Sequence, residues 1–226
     1  MRRRPLSAMG RPTAALFDMD RTLVRVNTGR LYAWWRFEQK QAGLRDLARF
    51  GRWLAEYSLG VIDPSEITTR ALATLEGIEE TAFRTELHRW YEERVRRHVS
   101  AEARAEVERQ RAAGRVLAIL TASTPYAAGP LAAELGIEHV ICTQLEVVDG
   151  RFTGRCAELC YGDGKVRMAE EWAHRHGVDL DRSTFYTDSV SDLPMLKRVG
   201  NQRVVNPDPR LRWAARRRGW PVARWR

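Results

Sequence analysis

The stretch "LFDMDRTLV", residues 16–24, indicates the fold, because a short apolar run ends there on two aspartates. The apolar residues before the aspartates predict a buried strand over 14–18. Asp18 and Asp20 are two positions apart, so their side chains extend in one direction as the chain leaves the strand. Two close carboxylates repel each other unless one is protonated or a cation lies between them. A hard divalent cation such as Mg²⁺, which prefers oxygen ligands, would remove this conflict.

Short apolar runs alternate with amphipathic helical stretches over 13–24 and again from residue 100 onward. This alternation predicts an α/β fold with a parallel sheet and crossover helices. Gly114 and Gly177 occupy positions where a helix C-cap favours glycine, and Asp149-Gly150 predicts a hairpin turn. The predicted strands are 14–18, 116–121, 140–143, 184–188 and 203–205, and the predicted helices between them are 101–113 and 166–176.

Residues 27–99 lack strand-like runs and predict an inserted helical module. Its predicted helices are 31–42, 44–59, 64–75 and 81–97, with Asp63 as a candidate N-cap. The chain therefore divides into a basic N-terminal tail (1–12), a catalytic core (13–26 and 100–226) and a helical cap (27–99).

Polar residues follow the other predicted strands as well. Thr121 ends one strand, and Ala122 begins a segment leading to a helix N-terminus, whose amides can hold an anion. Lys165 lies at the start of a helix after Gly-Asp-Gly, and Asp188 and Asp192 lie at and just beyond the end of another strand. Ligands bind beyond the carboxyl ends of strands in open parallel sheets. We therefore expect all these groups at one edge of the sheet.

The ordered set of D-x-D-x-T at 18–22, Thr121, Lys165 and D-S-x-x-D at 188–192 resembles the four motifs of the haloacid dehalogenase superfamily of phosphatases. The resemblance covers about residues 13–210. Helices inserted between the first and second motifs resemble the cap of the phosphoserine-phosphatase-like branch, subfamily IB. The D-x-D-x-T match alone is weak, whereas four motifs in the right order are specific. The resemblance implies a Rossmann-like parallel sheet with helices on both faces and an inserted α-helical cap domain.

The resemblance also implies the catalytic roles. Asp18 would be the nucleophile that forms an aspartyl phosphate, and Asp20 would protonate the leaving alcohol and then activate water. Branches of the superfamily that cleave carbon–halogen or carbon–phosphorus bonds generally lack an acid at the second position. Asp20 therefore favours hydrolysis of phosphomonoesters. Arg21 stands where many members have glycine, which leaves the shape of this loop open.

Binding roles are implied in the same way. The resemblance assigns Mg²⁺ to Asp18, Asp188 and the backbone carbonyl of Asp20, with Ser191 and Asp192 supporting the metal and the lysine. Lys165 would neutralise charge shared by the phosphate and the nucleophile. The implied substrate-binding residues are Thr121, Ala122, Lys165, Asn27 and Arg70.

The implied substrate is a small phosphorylated metabolite. Phosphoserine phosphatase has a glutamate nine positions after its nucleophile, suited to a substrate ammonium, and the same offset here falls on the uncharged Asn27. We therefore expect that phosphoserine is not the best substrate. Arg70, in the segment RALATLEG, could meet a substrate carboxylate or a second phosphate.

Composition limits the other classes of function. The formal net charge is +9, but the basic residues are spread along the chain, which is typical of a solvated basic surface and argues against a nucleic-acid site. No apolar run reaches the ~18 residues that a membrane helix needs. Cys142, Cys156 and Cys160 suggest neither a zinc ribbon nor a disulfide framework, so we expect a reducing cytoplasm. The sequence leaves the oligomeric state open.

Two alternatives to a phosphatase remain at this stage. A phosphomutase or another phosphotransferase of the same fold would use the same aspartyl phosphate but protect it from water. A basic protein that binds nucleic acid or an anionic surface would have no chemical need for Asp18, Asp20, Lys165 and Asp188 together. A measurement of phosphate release separates the first alternative from hydrolysis.

Overall fold

The computed structural model describes residues 10–40 and 64–226, together with positions 43, 45, 48, 51 and 52. The predicted helix over 44–59, the candidate cap Asp63 and most of the N-terminal tail lie outside the described residues. The described strands are β1 (Ala14–Phe17), β2 (Val116–Thr121), β3 (His139–Cys142), β4 (Gln144–Val148), β5 (Arg151–Glu158), β6 (Thr184–Thr187), β7 (Asn201–Val205) and β8 (Val222–Ala223).

Six of these strands form one parallel sheet in the order β3-β2-β1-β6-β7-β8. The first strand is central, and β2 and β6 lie on either side of it. The α/β fold and all five predicted strands are confirmed, with ends that agree or differ by at most two residues. The two-residue strand β8 was not predicted, because so short a segment carries no periodic signal.

Helices connect the strands and flank the sheet. They are α1 (Thr28–Glu38), α2 (Pro64–Ala73), α3 (Glu80–Trp90), α4 (Ala101–Ala112), α5 (Pro125–Leu135), α6 (Asp163–His176), α7 (Leu193–Arg198) and α8 (Pro209–Arg218). Alternate residues of β1 join two different buried clusters: Ala15 and Phe17 enter one, and Ala14 and Leu16 enter the other. Because alternate side chains of a strand point to opposite faces, both faces of the sheet are covered.

The helices between β1 and β2 differ in detail from the predicted ones. The predicted helix 81–97 is α-helical only to Trp90, and it continues as a π-helical turn (Tyr91–Val95) and a 3₁₀ turn (Arg96–His98). The wider turn allows Trp90, Tyr91 and Val95 all to be buried, a packing effect that helical periodicity does not register. None of the described helices is long and apolar enough to cross a membrane.

The predicted hairpin is present as β4 and β5, with Asp149 and Gly150 at the turn. Both turn residues have positive φ, 50° and 74°, as a type I′ turn requires. The hairpin contacts the segment between α2 and α3: the Gly77 N–H donates to the Phe152 carbonyl at 2.8 Å, and the Phe152 N–H donates to the Ile78 carbonyl at 3.0 Å. The hairpin thus joins the inserted helices to the second half of the chain.

Candidate active site

A buried lysine bridges two carboxylates at the carboxyl edge of the sheet. The Lys165 ammonium donates to Asp18 Oδ1 at 2.7 Å and to Asp192 Oδ2 at 2.8 Å. Asp18 directly follows β1, and its backbone N–H donates to the Tyr186 carbonyl of the neighbouring strand at 2.9 Å. The side chains of Lys165 and Asp192 are only 3% and 2% exposed. The backbone of Asp18 is therefore fixed by the sheet, and its carboxylate is fixed by the buried ion pair.

The site holds more negative than positive charge. Burial raises the pKa of Asp18 to about 7, although the Lys165 ammonium opposes this shift. Burial and the carboxylates of Asp18 and Asp192 raise the pKa of Asp188 to about 8. Burial lowers the pKa of Lys165, but the two carboxylates outweigh it and the net shift is upward. The lysine stays charged, whereas neither Asp20 nor Asp188 forms an ion pair with a residue that the structure describes.

This excess of negative charge suits a divalent cation. The carboxylates of Asp18 and Asp188 and the backbone carbonyl of Asp20 could hold one. Within the described ranges, no group of three or more His, Cys, Asp or Glu residues is arranged to hold a metal ion. Mg²⁺ is typically bound by one or two carboxylates, with waters and substrate phosphate completing the shell, so this donor set fits Mg²⁺.

Asp20 is held by the first residue of α1. Its Oδ1 accepts from the Thr28 hydroxyl at 2.6 Å and from the Thr28 N–H at 3.1 Å. Burial raises the pKa of Asp20, and the two Thr28 hydrogen bonds oppose the shift. Since one oxygen accepts both hydrogen bonds, a proton on Asp20 would lie on Oδ2. The second carboxyl of the motif is therefore oriented as well as partly buried.

The end of β2 lies at the same edge of the sheet. Thr121 is buried, and its hydroxyl accepts from the Ser123 N–H at 3.2 Å. The Ala122 carbonyl accepts from the Thr143 hydroxyl at 2.7 Å, which ties this loop to the end of β3. Helix α5 begins three residues after Ala122. The loop is thus fixed in position, and its binding of an anion stays a prediction.

Three further residues predicted for the site are Asn27, Ser191 and Arg70. Asn27 is the N-cap of α1, where its side-chain oxygen accepts from the Arg30 N–H at 2.9 Å. The Ser191 hydroxyl contacts the Ser189 hydroxyl at 2.9 Å. Arg70 is exposed in the last turn of α2, and its role in substrate binding stays a prediction.

Three positioning residues were missed by the sequence analysis. They are Thr28, described above, Thr187 and Asp208. The Thr187 hydroxyl donates to Asp192 Oδ2 at 2.6 Å. Asp208 Oδ2 accepts from the Val190 N–H at 2.7 Å, and the Asp208 N–H donates to the Asp188 carbonyl at 2.9 Å. An Asp-Pro pair before a helical run does signal the N-cap role of Asp208, but no local signal reveals its contact with Val190.

Arg21 adopts the left-handed conformation that glycine favours, with φ of 54°. Its N–H donates to the Val26 carbonyl at 3.2 Å and closes the loop between the two aspartates and α1. The turn therefore keeps the conformation expected of a glycine, at a strain cost of about 1–2 kcal/mol. The guanidinium opposes the upward pKa shifts of Asp20 and Asp188, so it contributes positive charge to this edge.

Gly164 leaves no room for a side chain beside Lys165. A Cβ at this position would lie 2.2 Å from the Leu159 carbonyl oxygen, which is backbone and cannot move aside freely. We expect Gly164→Ala to displace the start of α6, to lower the free energy of unfolding by about 1–3 kcal/mol and to reduce kcat at least about tenfold.

The matched control for this variant is Gly129→Ala. Gly129 is also helical, but nothing lies within 4 Å of its added Cβ. Chemical denaturation should show the control to be as stable as the native protein or up to about 1 kcal/mol more stable. Equal stability and activity in the two variants would remove Gly164 from this role.

The chain is similar to known phosphatases. Residues 15–197 match the model of the haloacid dehalogenase-like hydrolases. A phosphoserine phosphatase of Mycobacterium tuberculosis is 34% identical over 222 residues, covering 94% of this chain and 71% of the relative. A histidinol-phosphatase of Neisseria meningitidis is 31% identical over 218 residues, covering 92% and 96% of the two chains. A Bordetella pertussis protein of unknown function has a solved structure with a TM-score of 0.87 at 29% identity, covering 95% and 98%.

Proposed function

Because the chain belongs to the haloacid dehalogenase-like hydrolases and is a phosphatase, we propose that it hydrolyses small phosphomonoesters through an aspartyl phosphate on Asp18. The observation that carries the proposal is the buried bridge from Asp18 through Lys165 to Asp192. It keeps one carboxylate fixed beside a permanent cation at the edge of the sheet where ligands bind. We propose no phosphomutase activity, since no contact described above favours one.

Asp18 is the proposed nucleophile. One of its oxygens attacks phosphorus, the bond from phosphorus to the ester oxygen breaks, and the leaving oxygen takes a proton from Asp20 Oδ2. Lys165 reduces the repulsion between the incoming phosphate and the carboxylate, because it remains charged. Thr121 and the backbone around Ala122 are proposed to hold the phosphoryl oxygens.

Asp20 serves both half-reactions. After the alcohol has left, ionised Asp20 takes a proton from water as that water attacks phosphorus, and the Asp18 carboxylate is regenerated. The hydrogen bonds from Thr28 support this role, because they occupy Oδ1 and leave Oδ2 for the proton. Asp18, Asp188 and the Asp20 carbonyl are proposed to hold Mg²⁺, which when bound would neutralise phosphate charge and orient the substrate.

We also propose that residues 27–99 act as a cap over a core formed by 13–26 and 100–226. The insertion begins at α1, whose first residue holds Asp20. A shift of α1 would therefore change the hydrogen bonds that orient the general acid, Asp20. Closure would exclude water from the phosphoryl group and allow side chains of the insertion to select the leaving group.

The substrate is proposed to be a phosphomonoester other than phosphoserine. Asn27 carries no charge, and its side-chain oxygen already caps α1, which leaves it poorly suited to a substrate ammonium. We expect L-phosphoserine to rank below the best member of a panel that includes L-histidinol phosphate, scored by kcat/KM. A tenfold lead for L-phosphoserine would show that this interpretation of Asn27 is wrong.

A leaving-group comparison tests the acid role of Asp20. We expect Asp20→Asn to slow transfer of the phosphoryl group to Asp18 from an alkyl phosphate by about 10²–10⁴-fold and from p-nitrophenyl phosphate far less, because nitrophenolate leaves without a proton. Release of the alcohol or of nitrophenol in the first turnover with Mg²⁺ present provides the measurement, because the later attack by water is common to both substrates. Equal losses on the two substrates would remove Asp20 from the acid role.

A further inference from the structure

Helix α8 exposes a basic surface that the proposed reaction does not use. Residues 209–226 contain seven arginines and no acidic residue. Leu211, Ala214 and Ala215 of this helix are buried. The opposite side exposes five residues, here named the Arg–Trp face: Arg210, Arg212, Trp213, Arg216 and Arg217.

The Arg–Trp face forms one continuous side of the helix. At 100° per residue its five positions span about 160°, and Trp213 lies in the middle with two arginines on each side. Trp213 is 60% exposed. The Arg217 guanidinium lies 4.7 Å from its ring centroid. A large aromatic ring thus stands exposed among four cations.

Several other arginines of the chain are held by carboxylates, as in Arg84–Glu80, Arg94–Glu38, Arg96–Glu92, Arg109–Glu106, Arg155–Glu146 and Arg198–Glu170. No arginine of the Arg–Trp face forms an ion pair with any residue that the structure describes. What distinguishes α8 is that four arginines without an ion pair surround one exposed tryptophan.

We propose that the Arg–Trp face binds an anionic phospholipid surface. Arginines near such a surface are attracted by its negative potential, and tryptophan favours the headgroup region, where its ring is partly buried and its N–H stays hydrated. Single-stranded nucleic acid is a poorer match, because such strands stack successive bases on several aromatic rings along a groove. A convex helix with one central ring instead suits a broad, flat surface.

The contact would be peripheral and reversible. The apolar side of α8 packs into the core, so the helix cannot insert that side into lipid. Helix α8 lies between the parallel strands β7 and β8 in the chain and therefore runs back from the edge that carries Asp188. Its arginine-rich C-terminal end lies toward the opposite edge, which leaves the candidate active site open to substrate.

Co-sedimentation of the full chain with vesicles tests the proposal. We expect binding to equimolar phosphatidylcholine and phosphatidylglycerol, and none to phosphatidylcholine alone. Replacing Arg212, Arg216 and Arg217 by Gln should lower the partition coefficient about 100-fold, at roughly fivefold per arginine. Phosphatase activity on a small substrate should stay unchanged, which separates this result from any failure of the proposed reaction.

The matched control is the triple variant Arg84→Gln, Arg96→Gln and Arg109→Gln, which removes the same net charge from exposed but ion-paired positions. It should keep most of the vesicle binding. Brominated lipid should quench the tryptophan fluorescence of the native protein, and it should quench the fluorescence of Trp213→Phe less. The proposal would be overturned if the two triple variants lost vesicle binding equally, or if the native protein bound phosphatidylcholine alone. It would also be overturned if the native protein bound no vesicles but bound single-stranded DNA, and the Arg212, Arg216 and Arg217 variant lost that binding.

Discussion

The Asp18→Asn variant is expected to fold normally and to lose turnover by about 10⁴-fold or more. An amide keeps nearly the same shape as the carboxylate, but it neither attacks phosphorus nor offers a metal an anionic oxygen. Lys165 keeps its second partner, Asp192, at 2.8 Å. Because the carboxylates at this edge repel one another, the free energy of unfolding measured without Mg²⁺ should be unchanged or slightly higher.

Asp149→Asn is a suitable control for this variant. It makes the same chemical change in the hairpin turn, where the residue is exposed and has positive φ, which asparagine tolerates. The control should retain full activity. A folded Asp18→Asn protein that hydrolyses substrate at an appreciable fraction of the native rate would refute the nucleophile assignment.

Lys165→Met is expected to have the largest effect on stability. It leaves Asp18 and Asp192 buried without their common partner, which should lower the free energy of unfolding by about 3–5 kcal/mol. Without the ammonium, the pKa of Asp18 rises further in the folded state, because the Lys165 charge opposes the effect of burial. A carboxyl with a raised folded pKa contributes stability below its unfolded pKa and loses it as pH rises. Since the pKa of Asp18 is already about 7 in the native protein, the deficit relative to that protein should shrink as the pH falls from above 7 toward about 7.

Two further variants make this prediction specific. Adding Asp192→Asn to Lys165→Met should recover part of the lost stability, because it removes one uncompensated buried charge. Lys197→Met removes an exposed lysine of α7 and should change stability by less than about 0.5 kcal/mol. Denaturant unfolding of all four proteins provides the comparison. A Lys165→Met protein as stable as the native one would show that the buried bridge contributes little.

The centre of the fold could be predicted because its signals are local. Apolar runs at β1, β2 and β6 are each followed by a polar residue, and parallel strands place their carboxyl ends at one edge. Asp18, Thr121 and Asp188 therefore follow from the pattern alone. Lys165 was recognised at a helix start, and the structure places it in the first turn of α6.

The contacts that orient these groups could not be predicted. Some of them join residues distant in the chain, and in other cases the sequence around a side chain fits more than one role. Asp208 reaches Val190 across 18 positions, and the Phe152 segment meets residues 77–80. Asn27 was interpreted as a substrate ligand, whereas its spacing to Arg30 also fits an N-cap. Thr28, next to it, makes the contact with Asp20.

Chemical trapping of the intermediate tests the central claim most directly. Asp20→Asn should slow attack by water, so p-nitrophenyl phosphate and Mg²⁺ should load this variant with covalent phosphate. Borohydride reduces an acyl phosphate of aspartate to homoserine, which peptide mass spectrometry can locate. We predict homoserine at position 18 and at no other aspartate, and none when Asp18→Asn is added. Turnover of substrate with no reduced residue, or reduction at another aspartate, would contradict the account.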